Sequence, residues 1–400
     1  MKLFQKLLLA PTALGLFAPL ASNASEANLM DVSSYSQVDV EVSQDTFKPL
    51  SSKNPLLAGG EGLGQNNLSN DFDGDTFSAT TSATFTANMA MGNVDGIAAQ
   101  EKVGNIYDYS IDLITSFDGN DSLDVSIIAG EGGNTLTELD LNETNDGLQV
   151  DTIAYTTSLG DKLTVFFGDG IDGNSLYSTA CAYEGQTNVL DDCGAMSTAM
   201  GTGYGTGAGL SVDLGGNFAL AFGYEGEGIN DDGLLSDEGA DAYGFQASYI
   251  ADNYGISISW ANVENAVATN NPSGYELTGG ETTFTAINAF FTPDLAGFPS
   301  FSVGFESSDN DNIADDTIDE TSHWFVGLQF EEVGNGTLGA AIGTKEPTVE
   351  NADNQLMWEA YYAYNYADGI TITPLVYVKE NTAVNTDDET GIILKTTFEF

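Results

Sequence analysis

From Thr76 the segment TFSATTSATFTANMAM places Phe77, Ala79, Ala83, Phe85, Ala87, Met89 and Met91 on odd positions, with Ser or Thr on most even ones. A period of two sends successive side chains to opposite faces of a strand, so one face is apolar and the other polar. The pattern recurs to the C-terminus. Tyr107, Tyr109, Ile111, Leu113 and Phe117 alternate with Asp108, Ser110, Asp112 and Ser116, and Leu123, Val125 and Ile127 alternate with Asp124 and Ser126. Phe218, Leu220, Phe222 and Tyr224 share a face, as do Tyr254, Ile256, Ile258 and Trp260, and Trp324, Val326, Leu328 and Phe330. Trp358, Tyr362, Tyr364 and Tyr366 line another row, and Ile392, Leu394, Phe398 and Phe400 the last. The pattern predicts an all-β chain of about sixteen strands.

The connections say how those strands are arranged. Short turns carry hairpin chemistry: FDGND (Phe117 to Asp121), LGD (Leu159 to Asp161), LGGN (Leu214 to Asn217), ADN (Ala251 to Asn253), VGNG (Val333 to Gly336) and ADG (Ala367 to Gly369). Between them lie longer acidic, Gly- and Asn-rich loops, at 92–105, 129–149, 168–206, 225–242, 262–281, 307–321, 343–355 and 379–389. Long and short connections alternate, which sends the long loops to one end and the tight turns to the other. That is the arrangement of an antiparallel transmembrane β-barrel with short periplasmic turns and long external loops, and the expected barrel covers 76–400. Strands cross hydrocarbon only when the sheet closes and leaves no edge, so the strand ending at Phe400 must pair with the first. Phe398 and Phe400 are thus expected at the barrel closure, and the C-terminal strand is the expected contact for the barrel-assembly machinery.

The composition agrees with one large β unit: 46 glycines and only nine prolines in 400 residues. The first segment, MKLFQKLLLAPTALGLFAPLASNASEA, has Lys2 and Lys6, an apolar stretch from Leu7 to Leu20 and small residues at Ser22 and Ala24. It reads as a secretory signal, residues 1–24, cleaved after Ala24. Residues 25–75 are polar and patternless, and read as a flexible periplasmic lead-in. Beyond Ala24 no uncharged apolar run is long enough for a transmembrane helix, so any membrane crossing must be by strands. The formal charge of −51, with 60 acidic residues and no arginine, excludes nucleic acid as a partner, because no cationic surface exists to displace phosphate counterions. It suits an exported protein in a salty medium, where screening softens self-repulsion.

Several stretches resemble a known family. MKLFQKLLLAPTALGLFAPLASNA, the following NLMDVSSYSQ, IYDYSIDLITSFDGNDSL (Ile106 to Leu123) and DKLTVFFGDGIDGNSLY (Asp161 to Tyr177) are similar to outer-membrane porins of marine cyanobacteria, a family described as iron-uptake or carbohydrate-selective (OprB-like) porins. The resemblance implies passive passage of small hydrophilic solutes through a barrel set in outer-membrane lipid, with homotrimers as the common assembly. Such porins usually carry an S-layer-homology domain between leader and barrel. Here residues 25–75 hold no recognisable copy, which puts anchoring to the cell wall in doubt.

The chemistry follows from the barrel. Cys181 and Cys193, in STACAYEGQTNVLDDCGA within the longest loop, read as a disulfide on the secretory route. That loop either folds into the lumen and narrows it or stands outside as a tied external loop. Parity aims Asp108, Asp112, Asp124 and Glu359 into the lumen, and the long loop adds Asp169, Asp172, Glu184, Asp191 and Asp192. Such carboxylates favour cations. Lys162, Lys379 and Lys395 are the cations that could oppose them.

DNDNIADDTIDE, Asp309 to Glu320, has acids at the first, third and twelfth places of a calcium loop but Ile313 and Ala314 at the fifth and sixth, so it is not an EF-hand. Weak divalent binding there or at DFDGD (Asp71 to Asp75) is the only metal chemistry suggested, and no cofactor is expected. His323, the single histidine, is aimed into the lumen without a nucleophile motif around it, and GTGYGTGAG (Gly201 to Gly209) lacks the setting of a phosphate loop. The sequence therefore reads as a cation-biased porin rather than an enzyme. The alternative is a structural or adhesive barrel with a plugged lumen and ion-binding acidic loops.

Overall fold

The computed structural model describes residues 80–96, 102–131, 136, 138–194, 205–226, 234–235, 241–267, 278–295, 297–310, 320–345, 354–381 and 387–400. The signal segment, the lead-in, residues 76–79 and DFDGD lie outside the described residues. Sixteen strands form: β1 (Thr81–Asp95), β2 (Gly104–Thr115), β3 (Asp121–Gly130), β4 (Gln149–Leu159), β5 (Leu163–Asp169), β6 (Thr206–Gly215), β7 (Phe218–Gly226), β8 (Asp241–Ile250), β9 (Tyr254–Val267), β10 (Thr278–Phe291), β11 (Ser300–Asn310), β12 (Glu320–Phe330), β13 (Gly336–Lys345), β14 (Gln355–Ala367), β15 (Ile370–Lys379) and β16 (Glu389–Glu399). Each pairs antiparallel with its neighbours in sequence, and β1 also pairs with β16, so the sheet is a closed barrel. Closure satisfies every edge, the condition for a sheet in hydrocarbon.

The seam joins the chain's last residue to its first strand. Phe85 and Phe400 exchange backbone hydrogen bonds at 2.9 and 3.0 Å, and their rings stack with centroids 5.5 Å apart. Phe398 lies opposite Ala87. On the outer face, Phe222, Phe245, Ile256, Ile258, Val303, Val326 and Leu394 are exposed as the alternation requires. Aromatic residues gather near the strand ends: Phe218 against Tyr249 (4.7 Å) and Tyr249 against Tyr254 (5.7 Å) at the turn end, Tyr243 against Trp260 (5.9 Å) toward the loop end. Amphipathic rings at both rims of an apolar band are the aromatic girdles of a transmembrane barrel. Among the described residues no helix is long and apolar enough to cross a membrane.

The structure departs from the sequence reading at several element ends. β9 and β10 extend into the loop expected at 262–281, because cross-strand pairing continues from Val263 opposite Thr282 out to Val267 opposite Thr278. The connection between β10 and β11, residues 292–299, holds two prolines and no tight-turn signature, and it was not among the expected turns. Phe117 leaves the strand row and lies in the β2–β3 turn. There Asp121 Oδ1 accepts hydrogen bonds from the Phe117 and Asp118 amides and from Ser116 Oγ, and this cap ends the strand.

Candidate functional site

The inner wall is built by the residues that alternate with the outer row. On β2 and β3, Ser110 and Ser126 donate to the two oxygens of Asp112 at 3.0 and 2.7 Å, and Ser122 donates to Asp124 at 2.9 Å. Across the lumen, Gln246, Ser257, Ser259, Asn288, Ser302, Glu306, His323 and Gln329 are buried polar residues on β8 to β12. Gln246, Asn288, Ser302 and Gln329 bond to what covers them, as little-exposed polar side chains mostly do.

The cover is the longest loop, residues 170–205, here called L3, of which 170–194 and Gly205 are described. It runs around the inside of the barrel, taking one anchor from strand after strand. The Gly173 amide donates to Glu225 of β7 (2.8 Å), and Ser178 exchanges bonds with Gln246 of β8 (2.6 and 2.9 Å). Asn288 of β10 donates to the Thr179 carbonyl (2.8 Å), and the Ala182 amide donates to Ser302 of β11 (2.8 Å). The Glu184 amide donates to Gln329 of β12 (2.9 Å), while Tyr361 of β14 donates to the Glu184 carbonyl. Finally Tyr183 Oη and the Gln186 amide both donate to Glu359 Oε1 of β14, at 2.6 and 3.1 Å. Burial, and then the charge of Glu359, push the Tyr183 phenol well above its usual range, so it stays protonated and donates. Its ring lies over Gly327 of β12, where a Cβ would stand 2.8 Å from the ring.

Cys181 and Cys193 are bridged, with Cα atoms 5.9 Å apart, and the bridge closes the part of L3 that reaches β11 to β14. Of the two placements left open for this loop, the structure adopts the inward one. A second loop comes in beside it. Leu136, Leu139 and Leu141, from residues 131–148 (L2), meet Tyr183, Leu190 and the disulfide of L3, and both pack on Ala90, Val94, Ile106, Phe325, Met357, Tyr361, Leu375, Tyr377 and Ile393 of the inner wall. An apolar core thus sits inside the lumen, over the arc from β12 through β16 to β2. The sequence reading missed it. Two signals were present: leucines in an acidic loop, LTELDL, and a strand β14 with large apolar residues on both faces.

The predicted lumenal acids are sorted by these loops. Asp112 is half-buried on the wall of β2, whereas Asp124 of β3 is only 9% exposed beneath its bond from Ser122. Asp172 and Glu184 have exposed side chains on L3. Asp108 and Glu359 face inward by parity but are only 5% and 1% exposed: Asp108 receives the Asn142 amide and side chain of L2 (3.0 and 3.2 Å), and Glu359 holds L3, so both are anchors beneath the loops. Asp191 Oδ1 accepts the Gly185 amide at 2.8 Å within L3. Asp169 is not part of the loop: it ends β5 on the outward row with Val165 and Phe167, opposite Ile153, so it does not face the lumen. The side chain of Asp192 lies outside the described residues. Lys162 is exposed at the β4–β5 turn, while Lys379 is engaged by Glu138 and Glu389.

His323 faces inward opposite Glu306, 4.0 Å from its carboxylate. Asp309 and Glu320 are cross-strand neighbours at the ends of β11 and β12, and the residues between Asn310 and Glu320 lie outside the described set.

No family model matches the chain, and no curated protein matches it. In shape it is similar to OprB of Pseudomonas putida (10% identity, covering 80% of this chain and 94% of that one, TM-score 0.58). It is also similar to an anion-selective porin from Comamonas acidovorans (12%, 80% and 99%, TM-score 0.58) and to OmpF of Salmonella typhi (13%, 80% and 97%, TM-score 0.54). At such identities the likeness is one of fold: the chain forms a closed sixteen-stranded antiparallel barrel of the porin kind.

Proposed function

We propose that this protein is an outer-membrane porin, exported with a cleaved signal peptide, through which small hydrophilic solutes and ions diffuse passively. The observation that carries the proposal is the pairing of an apolar, aromatic-rimmed outer face with an inner wall of hydroxyls and carboxylates, narrowed by an inward loop. The channel is cation-biased: Asp112, Asp172 and Glu184 remain accessible on the wall and on L3, while no arginine exists to oppose them. The family resemblance in the sequence adds iron or carbohydrate as cargo and a homotrimer as assembly. The C-terminal strand, ending in Phe398 and Phe400, is the segment read by the barrel-assembly machinery.

Planar-bilayer recordings under a salt gradient test this reading. Discrete conductance steps with a reversal potential of cation sign are expected, and an anion preference would defeat the bias. A second reading is favoured by one observation, the apolar core inside the lumen: a structural barrel closed by L2 and L3. Purified, folded protein that gives no conductance would support that reading instead.

A further inference from the structure

We propose that L2 is a strut that holds the constriction loop L3 against the barrel wall, with Lys379 of β15 and Glu138 of L2 as the positioning pair through which it acts. The consequence for solute passage rests on the porin reading above; the strut itself does not.

The contacts form one continuous line. Lys379 Nζ contacts the Glu138 carboxylate and lies 2.9 Å from Glu389 Oε2, while Tyr377 Oη donates to Glu389 Oε1 at 2.7 Å. All three charged side chains are largely buried, at 15%, 8% and 8% exposure. From Glu138 the line passes into L3. The Glu138 carbonyl accepts the Asn188 amide at 2.9 Å, Leu139 and Thr187 form an antiparallel bridge, and Asn188 Nδ2 reaches the Leu139 carbonyl at 3.4 Å. Two residues earlier, the Gln186 amide is bound to Glu359 on the wall. The wall at β15 and β16 therefore holds L2, L2 holds L3, and L3 returns to the wall at β14.

The charge pattern gives the arrangement its meaning. In a chain with 60 acids and nine cations, two lysines stand inside the barrel on adjacent strands beneath these acidic loops. Lys395 of β16 lies within electrostatic reach of Asp191 in L3, Asp140 in L2, Asp108 and Glu359. Buried glutamates next to a buried ammonium are sensitive to the loss of one partner, because the remaining charge is left uncompensated. An apolar contact alone would hold L2 without regard to charge. An ion triple makes the hold depend on which side carries the cation, and this can be tested by exchange of the charges.

The full-length protein, folded in detergent, is compared as wild type, Lys379→Glu, Glu138→Lys and the double exchange, with barrel folding checked by heat-modifiable gel migration. Amide hydrogen exchange is followed in 138–142 and 186–191. Each single variant is expected to speed exchange there by about tenfold or more, and the double to return it to within about threefold of wild type. The neutral-sugar exclusion limit in proteoliposomes should rise in the singles and recover in the double.

Unchanged exchange in either single variant, or a double no better than the singles, overturns the strut. Should Lys379→Glu not fold, Lys379→Met, Glu138→Gln and their double are measured as a cycle, where additive effects overturn it equally. Wild-type protein without conductance would refute the porin reading while the exchange result still decides the strut; conductance with unchanged exchange would sink the strut alone.

Discussion

Breaking the Cys181–Cys193 bridge should loosen one half of L3 and leave the other half in place. The bridge closes a ring over a sequence separation of 12, and chain-entropy arithmetic for a ring of that size gives about 3 kcal/mol in favour of the closed form. Within the ring lie the bonds from the Ala182, Glu184, Gln186 and Asn188 amides and from the Tyr183 hydroxyl. Outside it lie Gly173 on Glu225, Ser178 on Gln246 and Thr179 under Asn288.

If the bridge acts by limiting the freedom of the detached ring, its loss makes local opening easier by up to that amount, or about a hundredfold in opening equilibrium. Amide exchange in Cys181→Ala/Cys193→Ala should then quicken by up to about a hundredfold across 182–191 and stay near wild type across 173–179. In bilayers the same variant should show greater open-channel noise. A uniform acceleration across the loop, or none within the ring, would refute the reasoning, since the bridge would then act on the whole loop or not at all.

Asp112→Asn removes a half-buried lumenal charge; the reversal potential under a salt gradient should move away from cation preference, and an unmoved potential would take this residue out of the selectivity mechanism. Gly223→Ala adds a methyl 1.9 Å from the Gly173 carbonyl oxygen, so the first turn of L3 should lift from β7, seen as faster exchange confined to 171–175. Phe400→Ala removes the stack on Phe85 but keeps the reciprocal backbone bonds, so the barrel should still close with about 0.5–1.5 kcal/mol less stability in a urea titration. A loss of all folded protein would mean that the ring matters to assembly rather than to the finished seam.

The barrel itself was legible because its two faces meet different media, so period-two rows such as Phe218, Leu220 and Phe222 carry the strand, its facing and its neighbours at once. The seam was legible for the same reason: Ile392 to Phe400 continues the outward row to the end of the chain. The inside was only half legible. Asp108 and Asp112 share one parity, yet L2 covers Asp108 through Asn142 while Asp112 is met by serines of the wall, and nothing in their spacing separates the two. Met357 and Tyr361 look inward on a strand whose outward row is Trp358 and Tyr362. Parity assigns the face but cannot say that loops from other strands will bury it. Asp169 looked like loop because of its charge, although Val165 and Phe167 run on to it in one row.

The pairing of β1 with β16 also has a consequence for the order of events during folding. Every other strand pair is joined by a local connection, whereas this one brings together residues such as Asn88 and Thr397, 309 positions apart. Hairpins can form as soon as both their strands exist, but the final register cannot be tested until the whole chain has been delivered. Until then two unpaired edges persist, each a template for a foreign strand. The slow and vulnerable interval in the life of this molecule should therefore fall just before completion, when fifteen ladders are made and one is missing.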